Sequence, residues 1–258
     1  MSVGTPVLEI SALTKHYGGV RALDGVSFTI APGELLALIG PNGAGKSTCF
    51  NIVNGQLRPD AGEVRLKGRD ITGLAPRRIA RLGVGRTFQV ASVFGSMTVR
   101  ENVQMALIAA RGQVFRLWAP AHRMAREEAL ALLEQTGMAA QAERPAATLA
   151  YGDVKRLELA MALAGNPGLL LMDEPTAGMS GDERQAMIAL VRSLTRARDL
   201  AVLFTEHAMD VVFGHADRVV VLARGRLIAN GGVEEVRNDP AVRAAYLGGV
   251  APASSEAP

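Results

Sequence analysis

The sequence predicts an α/β fold with a mostly parallel core sheet, an antiparallel β subdomain toward the N-terminus and an inserted helical subdomain. Three observations predict it. The short runs 35–39, 169–172 and 201–204 are apolar throughout, the pattern of parallel strands covered on both faces. Stretches of helix-like periodicity separate them. Other β-like segments are punctuated by glycine and proline, the strongest local breakers.

In chain order, residues 7–31 read as short strands interrupted at Gly18-Gly19 and closed by Pro32-Gly33. Run 35–39 is the first core strand; Gly40 to Thr48 follows it and leads into a helix-compatible stretch. Residues 62–72 read as strands broken at Gly68. From 98 to about 164 the apolar positions, among them Met124, Leu130 and Leu133, then Leu157, Met161 and Ala164, fall three or four apart. That spacing gives a helical subdomain over about 90–165. Runs 169–172 and 201–204 supply two more core strands. Residues 218–230 read as a hairpin turning near Arg224-Gly225, grouped with 7–31 and 62–72 in an antiparallel sheet beside the core. A single domain is expected over 7–248, with a disordered tail at 249–258, where residues are small, polar or proline.

Composition removes whole classes. Of 258 residues 48% are hydrophobic and 21% charged, enough apolar surface to offset chain entropy, so disorder is excluded. The longest stretch without a charged side chain, 159–172, has 14 residues, short of the roughly 20 that span a bilayer. The first eight residues hold neither Lys nor Arg nor an apolar core, so no secretory leader is expected. Cys49 stands alone, in keeping with a reducing compartment. The net charge of +3 selects no partner. Its distribution is uneven: Arg65, Lys67, Arg69, Arg77, Arg78, Arg81 and Arg86 face a single acid, Asp70, between 65 and 86. A solvated face is the plain explanation; lipid headgroups, nucleotide phosphate and nucleic acid are the others. Aromatic residues make up only 4% and show no stacking array, which argues against nucleic acid.

In open α/β sheets ligands bind outside the carboxyl ends of the strands, and the chemistry collects there. Gly40-Pro41-Asn42-Gly43-Ala44-Gly45-Lys46-Ser47-Thr48 fits Gly-x4-Gly-Lys-Ser/Thr, directly after a strand and before a helix. Such a loop curls backbone N–H groups around phosphates, sends Lys46 to the β/γ-phosphates and offers the Ser47 hydroxyl to Mg²⁺. Asp173-Glu174 closes the second core strand, where an acidic pair is costly unless compensated. A bound Mg²⁺ compensates it: Asp173 is placed to hold the metal through water and Glu174 to polarise the attacking water. His207 ends the third strand, within reach of a γ-phosphate. Gln89, where the chain leaves the core, is a further Mg²⁺ or water ligand. Tyr17, upstream of the loop, either stacks on a purine or packs in the core.

Together these residues resemble the ATP-binding subunit of an ABC transporter over nearly the whole chain. Gln89 stands in the Q-loop place, Leu149-Ala150-Tyr151-Gly152-Asp153 in the family-signature place and His207 in the switch-histidine place. The resemblance implies a phosphate-loop ABC ATPase using ATP and Mg²⁺, with subunits paired head to tail. Tyr151 and Gly152 then face a nucleotide held by the partner. Arg86-Thr87-Phe88-Gln89, the run from Glu174 to Met179, and Ala245-Tyr246-Leu247-Gly248 resemble the branched-chain amino-acid uptake branch. Related branches handle urea, short amides or lipopolysaccharide. Two positions depart from the wider family: Ala150 replaces the signature Ser, and Ser180 replaces an Asp. The implied partners are transmembrane permease subunits, a second ATP-binding subunit in a heterodimer or a homodimer, and a periplasmic or extracellular substrate-binding protein, but no nucleic acid. The implied place is the cytoplasmic face of the membrane. The apolar stretch 90–97, with Phe94, is where the resemblance docks the permease. A soluble ABC-type ATPase acting on DNA or ribosomes is the rival reading, and the chain length fits it poorly.

Overall fold

The computed structural model describes residues 5–87, 93–112 and 125–247. Strands β1 (Leu8–Tyr17), β2 (Val20–Ile30), β4 (Ala61–Leu66) and β5 (Arg69–Asp70) form an antiparallel sheet in the order β2-β1-β4-β5. A six-stranded sheet orders β10 (Arg226–Gly231), β9 (Arg218–Ala223), β3 (Leu35–Ile39), β8 (Ala201–Thr205), β7 (Leu169–Asp173) and β6 (Val84–Thr87). All its pairs are parallel except β9 with β10.

Strand β3 is buried at every position, and alternate residues face different layers. Leu35, Ala37 and Ile39 join Met172, Phe204 and the helices α3 (Val99–Ala110), α5 (Tyr151–Leu163) and α6 (Gly181–Arg198). Leu36 and Leu38 join Leu171, Leu203, helix α1 (Lys46–Val53) and the inner face of the antiparallel sheet, including Ile10 and Phe28. Two cores thus clamp the middle of this sheet, which is why β3, β7, β8 and β9 lack polar alternation. Phe50 of α1 is fully buried, so Phe50→Ala costs about 3–5 kcal/mol through lost transfer energy and the cavity left behind.

Between β6 and β7 the described chain is helical: α3, α4 (Arg126–Gln135), short 3-10 turns at 139–141 and 146–148, and α5. Helix α3 opens on a capping box, Thr98 accepting from the Glu101 N–H and Glu101 reaching back to the Thr98 N–H. The remaining helices are α2 (Pro76–Arg81), α7 (Met209–His215), α8 (Val233–Asn238) and α9 (Pro240–Leu247).

The hairpin at 218–230 departs from expectation. It turns at Arg224-Gly225, both at positive φ (50° and 77°), as a tight hairpin requires. Yet β9 pairs in parallel with β3 and extends the core sheet, not the antiparallel one. The reason lies in its side chains: Val219, Val220, Val221 and Leu222 are all buried, so this strand is covered on both faces. Parallel register brings the carboxyl ends of β3, β7 and β8 to one edge, with Asp173 directly beside Thr205.

Candidate nucleotide-binding site

The loop after β3 is shaped by close backbone approach. At Gly40 a Cβ would lie 2.2 Å from the Leu222 carbonyl oxygen, and at Gly45, φ +106°, it would lie 2.4 Å from the Ala22 oxygen. Neither position admits another residue without backbone movement. The hairpin turn braces the loop from outside, the Gly225 N–H donating to the Ala44 carbonyl at 3.1 Å. Helix α1 then starts at Lys46 with no side-chain cap and no acid in its first turn. Its first N–H groups and the positive end of its dipole are left for an anion. Lys46 is buried and donates to the carbonyls of Gly40 at 2.7 Å and Pro41 at 3.2 Å. Burial pulls its pKa below the usual lysine value, while Glu174 and Asp173 push the other way. Asn42, Gly43 and Ser47 are exposed, and Pro41 and Thr48 are half-buried.

Beside this loop the ends of β7 and β8 lock together. The Thr205 hydroxyl donates to Asp173 Oδ1 at 2.8 Å and accepts from the Glu174 N–H at 3.1 Å. Glu174 sits at φ +49°, a strained conformation for a residue other than glycine, and its Oε1 lies 3.0 Å from His207 Nε2. The buried Glu206 carboxylate accepts from the Thr176 N–H and hydroxyl and from the His207 N–H. One carboxylate therefore ties the segment after Glu174 to the segment carrying His207. Arg86 reaches Asp173 from β6, Nη2 to Oδ2 at 3.8 Å.

The structure gathers Lys46, Asp173, Glu174 and His207 at one edge. Tyr17, at the end of β1, is 48% exposed, so core packing is not its role; Lys15 Nζ lies 5.8 Å from its ring centroid. Tyr151 and Gly152 lie elsewhere, at the start of α5. A Cβ at Gly178 would meet the Tyr151 ring at 3.3 Å and one at Gly152 would meet Glu183 at 3.4 Å, so both residues pack against the entry to α6. Gln89, together with Phe88 and residues 90–92, falls outside the described residues, as do Gly248 and the 249–258 tail. The sequence reading assigned no role at the site to Thr205 or Glu206 and took Arg86 only as part of the basic run and of the branch resemblance. It also used Tyr246 only as a branch marker. Burial of that phenol pushes its pKa up to about 12, opposed by the Gly40 N–H, so α9 touches the first residue of the phosphate loop.

Among the described residues no three His, Cys, Asp or Glu side chains cluster to hold a metal. A cation here would use the Ser47 hydroxyl and the Asp173 carboxylate, hard oxygen donors few enough to leave positions for phosphate oxygens and water. That donor set suits Mg²⁺. A strand, a glycine loop, an uncapped helix carrying Lys46 and an acidic strand end bonded to a histidine define a phosphate-loop nucleotide hydrolase.

The comparisons place it more narrowly. The model of the ABC transporter family matches residues 23–177, and that of the branched-chain amino acid ATP-binding cassette transporter matches 226–252. The high-affinity branched-chain amino acid transport ATP-binding protein LivG of Salmonella typhimurium is 40% identical over 94% of this chain and 98% of its own. BraF of Pseudomonas aeruginosa, with the same description, is 39% identical at the same coverage. Among solved structures, the ADP conformation of MJ1267, an ATP-binding cassette of an ABC transporter, superposes with a TM-score of 0.85 at 32% identity, covering 94% of this chain and 99% of that one. The dimeric post-hydrolysis state of the cassette MJ0796, bound to ADP and Pi, gives 0.73 at 25% identity, covering 88% and 98%. The chain belongs to the ABC transporter family and is an ATP-hydrolysing subunit of it. Within that family it resembles the branched-chain amino-acid type.

Proposed function

We propose that this subunit powers the import of branched-chain amino acids from the cytoplasmic face of a membrane. In this reading it pairs with a second ATP-binding subunit beneath a permease fed by an external substrate-binding protein. The cargo follows from the LivG and BraF relatives and from the matching 226–252 segment. No helix among the described residues is long and apolar enough to cross a membrane. Phe94 is 51% exposed while its backbone is pinned at both ends by buried Asn102, which accepts from the Phe94 N–H at 2.7 Å and donates to its carbonyl at 3.1 Å. A ring held outward on a fixed backbone suits a permease contact.

The chemistry rests on one observation: Glu174, bonded to His207 at 3.0 Å, stands beside Asp173 and Lys46. The loop N–H groups and Lys46 hold the phosphates, Lys46 exchanging its two carbonyl acceptors for phosphate oxygens. Ser47, Asp173 and Gln89 would hold Mg²⁺, which would supply positive charge against the phosphates. Glu174 accepts a proton from the attacking water, and His207 fixes the rotamer of that carboxylate until it turns to the γ-phosphate. Tyr17 offers its exposed ring to the purine. From the other subunit, the open N-terminus of α5 at Tyr151 and Gly152 faces the γ-phosphate.

Glu174→Gln keeps the shape and removes the base. It should slow ATP hydrolysis at least ~10²-fold while ATP binding persists. Unchanged steady-state hydrolysis would remove Glu174 from the mechanism. Labelled leucine uptake by the complex reconstituted in vesicles tests the cargo; uptake of urea or amides instead, or copurification with lipopolysaccharide-export components, ribosomes or DNA, would replace it.

A further inference from the structure

The basic run from Arg65 to Arg86 divides in the folded chain. Arg65, Lys67, Arg69, Arg77, Arg78 and Arg81 are exposed, whereas Arg86 is drawn inward on β6. Its side chain is 14% exposed, as is that of Asp173, and Nη2 lies 3.8 Å from Asp173 Oδ2. Nη1 donates to Asn51 Oδ1 of α1 at 3.2 Å and to Gln56 Oε1 at 3.1 Å. Desolvation pulls the guanidinium pKa below its usual value, the Asp173 charge opposing it. On its outer side Arg86 borders a groove of about 400 Å³ between α2, α3 and α5, lined also by Arg77, Ala106 and Met161.

We infer that Arg86 is a resident counter-cation of the Mg²⁺ carboxylate, a positioning residue that sets how tightly Asp173 takes a divalent ion. This rests on the reading of Asp173 as a Mg²⁺ ligand. Asp173 Oδ1 is occupied by the Thr205 hydroxyl and Oδ2 faces Arg86, so an arriving cation meets a carboxylate already balanced by a positive charge. Two cations on one partly buried carboxylate repel strongly at low effective dielectric. Binding the metal therefore requires the guanidinium to move away, and the groove beside it gives room. Whatever enters that groove and engages Arg86 would change the metal affinity, which links the groove to the phosphate site through one side chain.

The test uses the full chain and reads metal binding rather than turnover. Half-saturation by Mn²⁺ is followed by electron paramagnetic resonance with ADP present, and ADP binding in EDTA serves as the control. Arg86→Gln keeps an amide donor toward Asn51 and Gln56 but loses the charge; Arg86→Lys keeps the charge. Arg86→Gln should lower the half-saturating metal concentration about tenfold, the equivalent of one pKa unit from losing the neighbouring positive charge. Arg86→Lys should stay within about threefold of the parent, and neither variant should alter ADP binding in EDTA. A Mn²⁺ midpoint unchanged or raised in Arg86→Gln would overturn the inference, making Arg86 a brace between β6 and α1. A parent protein whose ADP complex takes up no Mn²⁺ would instead overturn the metal reading beneath it.

Discussion

Helices α1 and α5 begin without a side-chain cap, whereas α3 and α6 begin with complete capping boxes. At α6, Ser180 accepts from the Glu183 N–H at 3.4 Å and Glu183 Oε2 accepts from the Ser180 N–H at 2.9 Å. That end is closed from within the chain. At α1 the cap is Gly45 and at α5 it is Ala150, neither with an acceptor to offer. Asp153 in the first turn of α5 is held aside, accepting from Gln141 Nε2 at 2.9 Å. The two departures from the wider family thus separate. Ser180 closes its helix, as an Asp there also would, and Ala150 leaves an end open where the proposed mechanism needs free N–H groups.

The largest effect should come from breaking the open end that carries the lysine. Lys46→Ala removes a buried cation of the loop and should weaken ATP binding about a hundredfold, a lost charge-assisted bond being worth up to about 3 kcal/mol. Calorimetric titration with ATP checks this, and near-normal affinity would mean that the α1 backbone alone holds the phosphates.

Ala150→Ser sharpens the contrast between α5 and α6. The residue has φ −66° and ψ 156°, cap geometry that a serine can use in two ways. If α5 faces a partner's γ-phosphate, ATP-driven dimerisation should strengthen by up to about tenfold to a hundredfold, with nucleotide binding to the isolated subunit unchanged. A gain of about 1 kcal/mol in unfolding free energy with no change in dimerisation would instead put α5 with α3 and α6.

The smallest effects belong to the closed end. Ser180→Ala should lower stability by about 1 kcal/mol in denaturant unfolding while ATP binding stays constant. Glu183 adds a pH signature: the Ser180 N–H, and then its side chain, hold the Glu183 pKa below the usual value. A depressed carboxylate stabilises fully above its unfolded pKa of about 4.3, and that stabilisation disappears as pH falls through the lower folded value. Glu183→Gln should flatten this acid limb, and an unchanged limb would place the titration elsewhere.

Phosphate loop, acidic strand end and core strands were legible because each is a contiguous run whose local geometry and chemistry coincide. Gly40 to Thr48 needs only its neighbours to be recognised. The 218–230 hairpin was legible as a hairpin; its sheet was misassigned because the antiparallel turn was weighed above the unbroken apolar run Val219 to Leu222, the same both-faces-buried pattern as 35–39. Tyr17 was ambiguous between core and ligand until its exposure was known.

The sequence by itself determined the fold class and the nucleotide chemistry, and it singled out Lys46, Asp173 and Glu174 as candidates, through short-range pattern. Only the tertiary structure decided what those residues touch. Arg86 looked like one more surface cation until the parallel register, Arg86 beside Leu171, carried it to Asp173. Thr205 became a partner of both acids through the pairing of β7 with β8. The bond from His207 to Glu174 likewise spans two strand ends. Such contacts join residues far apart in the chain, and strand register sets which of them meet: a slip of one residue turns a side chain to the opposite face.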